Sequence, residues 1–348
     1  MRSRLRFWKY PISIVLLLLL VAVFTLVYAF SESAKAPYER TEEPVIETPE
    51  PEPSPEPEPE PSPEPEPEPS PEPGDFINLE EEGFISFFME EEDIYKGNLL
   101  LVNHNHAFNI PEDIDLVNII EARTTSFRVQ HNNARLLRLI MEPLDNMMDA
   151  FISSTGNRVV TIRSAFRSRE SQQRILNNYI AQWGPREALN WAAQPGHSEH
   201  HTGLAFDFGV ISEGTTTVFT GTGSTSWFRR NSHNYGFILR YPQNKTRITQ
   251  TNYEPWHYRY VGLPHSTIIM QNNWVLEEYI EMLRDYDIDE PFKYEIDDVL
   301  YEVYFSDSTE IKVPLYSDFE VSGNNVDGFI ITAIRHEFDP NIDPEDAV

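Results

Sequence analysis

From Pro49 to Pro73 every odd-numbered residue is proline, and the even-numbered residues between them are glutamate or serine. Proline has no backbone N–H to donate, so this run cannot form a helix interior or a sheet ladder. The pattern predicts an extended polyproline II linker over residues 31–74, which spans up to about 140 Å at ~3.1 Å per residue. A ligand for a proline-recognition domain is the alternative, but an exported chain would rarely meet such a domain.

The N-terminus has the pattern of a membrane anchor. Four basic residues within positions 2–9 precede an uncharged stretch from Pro11 to Phe30. A helix of about 20 apolar residues spans a bilayer core of roughly 30 Å, and its basic flank stays in the cytoplasm. We therefore predict that residues 1–30 are a single-pass transmembrane helix, with the rest of the chain on the extracellular, cell-wall side. A cleaved signal peptide is the alternative, and it also exports the chain.

Two features of the composition restrict the function. The 348 residues carry a formal net charge of -29, which argues against a nucleic-acid partner, because phosphate binding requires a basic surface. The chain has no cysteine, which excludes disulfides and thiolate metal sites. Any metal ligands must therefore be histidine, aspartate or glutamate.

The composition of a folded protein begins near Gly74 and Asp75, and the remaining chain mixes helical and strand patterns. Apolar residues at helical spacing predict a kinked helix around Pro143, with its methionines in the core, and Ser168 is a plausible N-cap of the next helix. We predict strands at 98–103, 158–166 and 204–210, and helices at 132–156, 168–184, 185–193 and 267–286. Because the elements alternate without regular βαβ spacing, the fold class is α+β.

The last part of the chain differs from the rest. Residues 288–348 contain three segments in which apolar and polar residues alternate, as in strands that are buried on one face. We predict a small β-rich C-terminal appendage of unknown role, separate from a folded domain over residues 75–287.

The stretch SEHHTGLAFDF, residues 198–208, holds two adjacent histidines and an aspartate in an apolar setting, just after His197. If residues 204–210 form a strand, Phe206 and Phe208 face the core, and Asp207 faces the opposite side among small residues. Gly203 permits a turn that brings a preceding histidine back towards Asp207. Spacing alone does not choose among His197, His200 and His201.

A second cluster, YEPWHYRY at residues 253–260, places Glu254 three residues before His257. On a regular strand these two side chains would face opposite ways, but a turn near Pro255 would let both face one cavity. A hydrolytic zinc site needs three protein ligands, an open position for water and a nearby carboxylate that takes the proton of that water. The two clusters together contain these groups.

These residues resemble the motif pair of the VanY-like zinc D-alanyl-D-alanine carboxypeptidases. The pair reads Ser198-x-His200-x-x-Gly203-x-Ala205-x-Asp207 and, about 50 residues later, Glu254-x-x-His257. Similarity continues in RSAFRSRESQ and NYGFILRYPQNK, and it spans roughly residues 98–285. It implies a small antiparallel sheet flanked by helices, a fold described as Hedgehog/DD-peptidase-like.

The resemblance also implies a role for each residue that matches the motif. The zinc ligands map to His200, Asp207 and His257, the general base to Glu254 and the arginine that stabilises the transition state to Arg167. Ser198 and Gln172 match positions in the substrate cleft. His197 and His201 are then neighbours of the site and not ligands.

The function that follows is a zinc-dependent D,D-carboxypeptidase with one Zn²⁺ per site. It would remove the terminal D-alanine from the stem peptides of peptidoglycan and act as a monomer. An L,D-carboxypeptidase or an endopeptidase of the same fold is the main alternative. A wall-binding module without turnover is disfavoured by the intact Glu254 and Arg167. A membrane-tethered sensor that uses residues 290–348 is a third alternative.

Overall fold

The structure, a computed structural model, describes residues 77–79, 83–315 and 317–335. The strands are β1 Ile77–Leu79, β2 Phe84–Phe88, β3 Leu116–Asn118, β4 Arg128–Val129, β5 Arg135–Leu137, β6 Val160–Ser164, β7 Ala205–Ser212, β8 Thr215–Val218, β9 Phe237–Leu239, β10 His257–Tyr260, β11 Phe292–Ile296, β12 Val299–Ser306, β13 Glu310–Pro314, β14 Ser317–Gly323 and β15 Phe329–Arg335. The predicted mixture of helices with small sheets is confirmed.

The α-helices are α1 Ile119–Ala122, α2 Met141–Thr155, α3 Arg169–Trp183, α4 Pro185–Ala188, α5 Ser226–Asn231, α6 Thr246–Thr249, α7 His265–Gln271 and α8 Leu276–Leu283. Short 3-10 helices include Glu199–Thr202 and Gln243–Lys245. Among the residues that the structure describes, no helix is long and apolar enough to cross a membrane. The predicted anchor (1–30) and linker (31–74) lie outside these residues and stay predictions.

The central sheet carries the two motifs on adjacent strands. Its strand order is β4-β6-β7-β10-β9, and β8 pairs with the free part of β7. Strands β7 and β10 are antiparallel, and Asp207 lies directly opposite His257. The register of this pair therefore brings two predicted metal ligands together across one ladder.

Side-chain alternation on β7 matches the prediction. Phe206 and Phe208 are fully buried in the main core, where Met147, Met148 and Phe151 of α2 also lie. Asp207, between the two phenylalanines, faces the other side of the sheet. The methionines are thus core residues, and the strand positions the carboxylate by burying its two neighbours.

The helix predicted over 132–156 begins later than expected. Residues Arg135–Leu137 form β5, which pairs with β3, and α2 covers only Met141–Thr155. Pro143 lies in the first turn of α2, where a backbone N–H would have no intrahelical partner, so proline is tolerated there. The helix ends at Gly156, whose φ of 67° is the left-handed conformation common after a helix.

The strand predicted at 98–103 was wrong, although its residues Leu99 to Val102 are buried. The segment has no regular secondary structure and belongs to no sheet. Its carbonyl groups accept hydrogen bonds from side chains instead, because Arg259 Nη2 donates to the oxygens of Asn98 (3.1 Å) and Leu100 (2.8 Å). Apolar composition predicted the burial but could not show that side chains replace a neighbouring strand.

Two predicted helices are shorter than expected. The segment 185–193 is helical only as α4, and 267–286 divides into α7 and α8. Asn273 has a φ of 53°, which interrupts the right-handed helix at the division. The strand over 158–166 and the helix over 168–184 are confirmed as β6 and α3, and the Ser168 hydroxyl caps α3 by accepting from the Ser171 N–H.

The C-terminal segment forms strands, as predicted, and β14 was not foreseen. It contributes the sheet β11-β12-β15-β14, and β13 pairs with β2 near the beginning of the described chain. Asn325 Nδ2 donates to the carbonyl oxygens of Leu101 (2.8 Å) and Ala107 (3.0 Å). The Leu101 N–H donates to the carbonyl of Asn324 (3.0 Å). Contacts therefore cross the predicted boundary at residue 287.

Candidate metal centre

The three predicted ligands converge in the structure. His200 lies in the 3-10 helix Glu199–Thr202, Asp207 on β7 and His257 on β10. His200 Nε2 is 3.3 Å from Asp207 Oδ2, and His257 Nδ1 is 3.0 Å from Asp207 Oδ1. Each residue offers one ligand atom, and these atoms all lie within 4.8 Å of one another. This spacing lets a single small cation contact all three side chains.

Gly203 makes the turn between His200 and Asp207. Its φ is +72°, and a Cβ placed there would lie 2.8 Å from Leu116 Cδ2 and 3.1 Å from Leu137 Cγ. Both the conformation and the space therefore favour glycine. The predicted turn is confirmed, and it brings the 3-10 helix back beside the start of β7.

Hydrogen bonds fix the orientation of both imidazole rings. His200 Nδ1 is 2.8 Å from the Ala165 carbonyl oxygen, and a carbonyl can only accept, so Nδ1 carries the proton and Nε2 presents a lone pair. His257 Nε2 is 3.2 Å from Glu199 Oε2, which by the same argument leaves Nδ1 free to coordinate. Two such imidazoles and one carboxylate are a donor set that zinc accepts, with room for a fourth ligand.

The charges in the site are strongly coupled. Burial lowers the pKa of His200 to about 4, and the positive charge of Arg167 acts in the same direction. Burial also opposes ionisation of Asp207, but His200 and His257 hold the pKa of that carboxyl well below its usual range. Burial would lower the pKa of His257, yet its hydrogen bonds to Asp207 and Glu199 raise it to about 9. The two carboxylates that flank His257 therefore favour a positive charge at this ring.

Glu254 lies beside the three ligands without joining them. Its backbone carbonyl accepts from the His257 N–H (3.1 Å), which forms the predicted turn around Pro255. Its Oε2 is 4.0 Å from His257 Nδ1. Burial raises the pKa of Glu254 to about 8, although His257 opposes the shift. A raised pKa makes the ionised carboxylate a stronger proton acceptor, which is the property that a general base requires.

Arg167 lines the same cavity as Glu254. Its Nη2 is 3.8 Å from Asp207 Oδ2 and donates to Ser164 Oγ (2.9 Å), while its Nη1 donates to Gln172 Oε1 (2.7 Å). The Nε2 of Gln172 donates in turn to the Ala193 carbonyl (2.7 Å). Gln172 thus holds the guanidinium in place with an amide that is already engaged at both ends. Its predicted substrate contact stays a prediction.

Ser198 and the catalytic groups line one cavity of about 110 Å³ with Arg167, Glu254 and Trp191. Within the described part of the chain, the Ser198 hydroxyl has no hydrogen-bond partner, although the residue is only 6% exposed. A free hydroxyl at the wall of a small cavity is suited to contact a ligand. The predicted role of Ser198 at the substrate stays a prediction.

The neighbouring histidines are engaged elsewhere. His201 Nδ1 lies 2.6 Å from the Arg167 carbonyl oxygen, and its Nε2 accepts from the Gly196 N–H (3.0 Å). His197 Nδ1 lies 2.8 Å from the Asn103 carbonyl oxygen. Both ring nitrogens of His201 are therefore hydrogen-bonded to backbone groups, which leaves His200 as the histidine of this pair that can bind a metal.

Sequence reasoning missed a buried ionic network behind His257. Glu199 Oε1 accepts from Arg240 Nε (2.7 Å) and from Arg259 Nη1 (2.8 Å), and all three side chains are fully buried. Arg240 also makes two hydrogen bonds to Glu277, at 2.7 and 2.8 Å. Burial would raise the pKa of Glu199, but the two arginines and His257 hold it well below its usual range. One signal was available, because Arg259 lies two residues after His257 and shares its strand face.

Comparisons with known proteins agree with this geometry. A family model described as D-alanyl-D-alanine carboxypeptidase (VanY) matches residues 133–263. A D-alanyl-D-alanine carboxypeptidase of Enterococcus faecium is 32% identical over 248 residues, which cover 70% of this chain and 77% of the relative. VanXYC of Enterococcus gallinarum, a bifunctional D-Ala-D-Ala dipeptidase and carboxypeptidase, is 36% identical over 140 residues, 39% of this chain and 74% of the relative.

A solved structure is similar over most of the described chain. It is the vancomycin-resistance D,D-dipeptidase VanXYg in complex with a D-Ala-D-Ala phosphinate analogue. The TM-score is 0.65 and the sequence identity 33%, and the match covers 72% of this chain and 99% of that chain. The relatives named above, found by sequence or by fold, are therefore all D-Ala-D-Ala peptidases.

Proposed function

We propose, on the premise that the chain belongs to the VanY family of D-alanyl-D-alanine carboxypeptidases, that it removes the terminal D-alanine from the stem peptides of peptidoglycan. It is a zinc metallopeptidase of the D,D-carboxypeptidase type. The observation that carries the proposal is the convergence of His200, Asp207 and His257 with Glu254 and Arg167 around one small cavity. The L,D-carboxypeptidase alternative is not favoured, because the relatives named above act on D-Ala-D-Ala.

Each group in the site has a separate role in the reaction. Zinc, when bound by the two imidazoles and Asp207, supplies a Lewis acid for the attacking water and the scissile carbonyl. Glu254 accepts a proton from the water as its oxygen bonds to the carbonyl carbon, and then delivers that proton to the amine of the leaving D-alanine as the C–N bond breaks. Arg167, held by Gln172 and Ser164, donates hydrogen bonds to the oxyanion.

The size of the cavity supports a small leaving residue. A volume of about 110 Å³ accommodates an alanine-sized group and little more. The Ser198 hydroxyl also lines this space, so a carboxylate there meets a hydrogen-bond donor. A C-terminal alanine combines these two properties.

The N-terminal sequence supports a membrane-tethered enzyme on the cell-wall side. The basic flank and the apolar stretch 11–30 orient the chain, and the proline-glutamate linker gives the enzyme its reach. Protease added to intact cells should remove the enzyme domain while leaving the anchor in the membrane fraction. A chain fully protected from protease would contradict this location.

The proposed reaction is tested with the full chain purified in detergent, with zinc supplied. Mass spectrometry of the products should show loss of one D-alanine from a stem pentapeptide that ends in D-Ala-D-Ala. The matched control is Glu254→Gln, which should keep zinc and lose hydrolysis. Release of D-alanine only from tetrapeptides, or full activity of Glu254→Gln, would contradict the proposal.

A further inference from the structure

Three aromatic side chains stand together at the mouth of the catalytic cavity. Tyr179 and Trp191 line the cavity with Glu254. Trp183 lies outside the cavity, and its ring centroid is 4.9 Å from that of Tyr179 and 6.0 Å from that of Trp191. We call Tyr179, Trp183 and Trp191 the aromatic platform. It connects the catalytic groups with the surface in one continuous series of rings.

The platform is held in place but remains open to solvent. Tyr179 and Trp183 are four residues apart on α3 and so lie on one helix face. Trp191 Nε1 donates to Glu187 Oε1 (3.3 Å), which fixes its ring. Trp183 is nevertheless 43% exposed. A large indole left in water beside an active site is a feature of surfaces that bind a ligand.

We propose that this platform binds the acyl part of the substrate, the peptide residues that precede the scissile bond; the inference rests on the proposed function. A carboxypeptidase substrate has a single residue on the leaving side. The cavity of about 110 Å³ suffices for that residue. Trp183 lies outside that cavity, next to Tyr179 and Trp191, so it has only the acyl part of the substrate to contact.

The distance between the platform rings matches the peptide part of the substrate and not the glycan. An extended peptide advances about 3.3 Å per residue, so the step of 4.9 Å from Tyr179 to Trp183 corresponds to between one and two residues. Tyr179 lines the cavity beside the scissile bond, so a ring one to two residues further out meets the residue just before the two terminal alanines. The sugar attached to the first residue of a stem pentapeptide lies about 13 Å from the last residue at the same advance.

The chemistry of the platform fits a long side chain with a cationic end. Methylene groups pack on aromatic faces, and an ammonium group over an indole is attracted by the negative face of the ring. Glu187, which accepts the Trp191 hydrogen bond, adds a carboxylate beside the platform. A lysine-like diamino residue at the third position from the C-terminus has both the apolar length and the charge.

The test compares two substrates with the full chain in detergent and zinc supplied. Nα-acetyl-L-Lys-D-Ala-D-Ala reaches the platform, whereas N-acetyl-D-Ala-D-Ala ends before it. Trp183→Ala should lower the ratio of kcat/KM for the long peptide to that for the short peptide by about tenfold, mainly through KM. Trp183→Phe should restore most of the ratio. Tyr95→Ala is the matched control, because Tyr95 is 49% exposed and does not line the cavity.

Three results would overturn the inference. An unchanged ratio in Trp183→Ala would show that the indole does not contact the acyl part. A ratio that falls only when the peptide carries its glycan would assign the platform to the sugar. A wild-type enzyme that releases D-alanine from neither peptide, nor from a stem pentapeptide, would contradict the proposed function itself and so is distinct from the other two.

Discussion

Nε2 of His257 lies 3.2 Å from Oε2 of Glu199, on the ring edge opposite the candidate metal position. The carboxylate accepts the Nε2 proton and thereby commits Nδ1 to coordination. Glu199 can do this while buried because Arg240 and Arg259 balance its charge. Glu199, which lies between Ser198 and His200 in the motif, therefore orients His257, a ligand on β10.

Replacement of Glu199 tests this orientation. Glu199→Gln should lower the zinc affinity of the folded protein by about 10- to 100-fold, measured by chelator competition. Glu277→Gln is the matched control, since it also deprives Arg240 of a carboxylate but does not contact His257. Both variants should lose stability, because each leaves a buried arginine partly unpaired. Equal losses of zinc affinity would show that the network acts only through folding.

The two adjacent histidines should behave differently when replaced. His200→Ala removes a ligand nitrogen, so the protein should no longer retain zinc after gel filtration. His201→Ala should retain zinc, and it should lose stability because the backbone groups of Gly196 and Arg167 lose their partner. Loss of zinc in His201→Ala alone would show that the wrong histidine was assigned as the ligand.

Gln172 is predicted to act through Arg167. Gln172→Leu removes the acceptor that holds Nη1 of Arg167, so kcat should fall by about 10- to 100-fold while bound zinc is unchanged. Gln173→Leu is the control, because Gln173 is exposed and bonds only to Asn177 in α3. A rise in KM with kcat preserved would instead assign Gln172 to ground-state binding of the substrate.

His265 gives the folded protein a specific sensitivity to acid. Burial lowers its pKa to about 3, and its ring nitrogens contact the Tyr279 hydroxyl (2.7 Å) and the Thr332 hydroxyl (3.1 Å). Between pH 6.5 and about 3 the unfolded chain binds a proton on His265 that the folded protein does not, so stability falls as the pH falls.

The size of this effect follows from an unfolded pKa of about 6.5. Between pH 7 and pH 5 the wild type should lose about 2 kcal/mol more free energy of unfolding than His265→Asn, which cannot titrate there. Urea unfolding at both pH values measures the difference. Parallel losses in the two proteins would mean that His265 does not contribute.

Asn325 should stabilise the segment beside the site from the C-terminal sheet. Asn325→Gly keeps the left-handed backbone (φ 61°) but removes the amide that serves Leu101 and Ala107, which should cost about 2 kcal/mol in urea unfolding. Asn273→Gly is matched to it, since Asn273 has a similar φ of 53° but is exposed, and it should change stability by less than about 0.5 kcal/mol. Comparable losses in both variants would point to the backbone and not to the amide.

Local patterns predicted the parts of the fold in which neighbouring residues determine the conformation. Strand parity on β7 placed Asp207 correctly, because burial of Phe206 and Phe208 leaves the carboxylate no other side. The segment 98–103 was misassigned as a strand because its partners, Arg259 and Asn324, are distant in sequence. Apolar composition records that a segment is buried, but it does not record which groups satisfy its backbone.

The site residues could be predicted where side chains that suit a metal site lie close together in the sequence. His200, Asp207, Glu254 and His257 form two short patterns whose spacing suits a metal, and the structure brings them together. Glu199 was overlooked because a glutamate side chain is usually exposed to solvent. Its burial depends on Arg240, just after β9, and on Arg259 of β10, and no local pattern relates the three.

The turn between β14 and β15 is made after all the candidate site residues. His257, the last of the candidate ligands, is translated well before Asn324 and Asn325, yet the backbone groups of Leu101 depend on these asparagines. A nascent chain therefore contains every reactive group while the segment beside Arg259 is still without its support. The contacts that support this segment become possible only once Asn324 and Asn325 have been made.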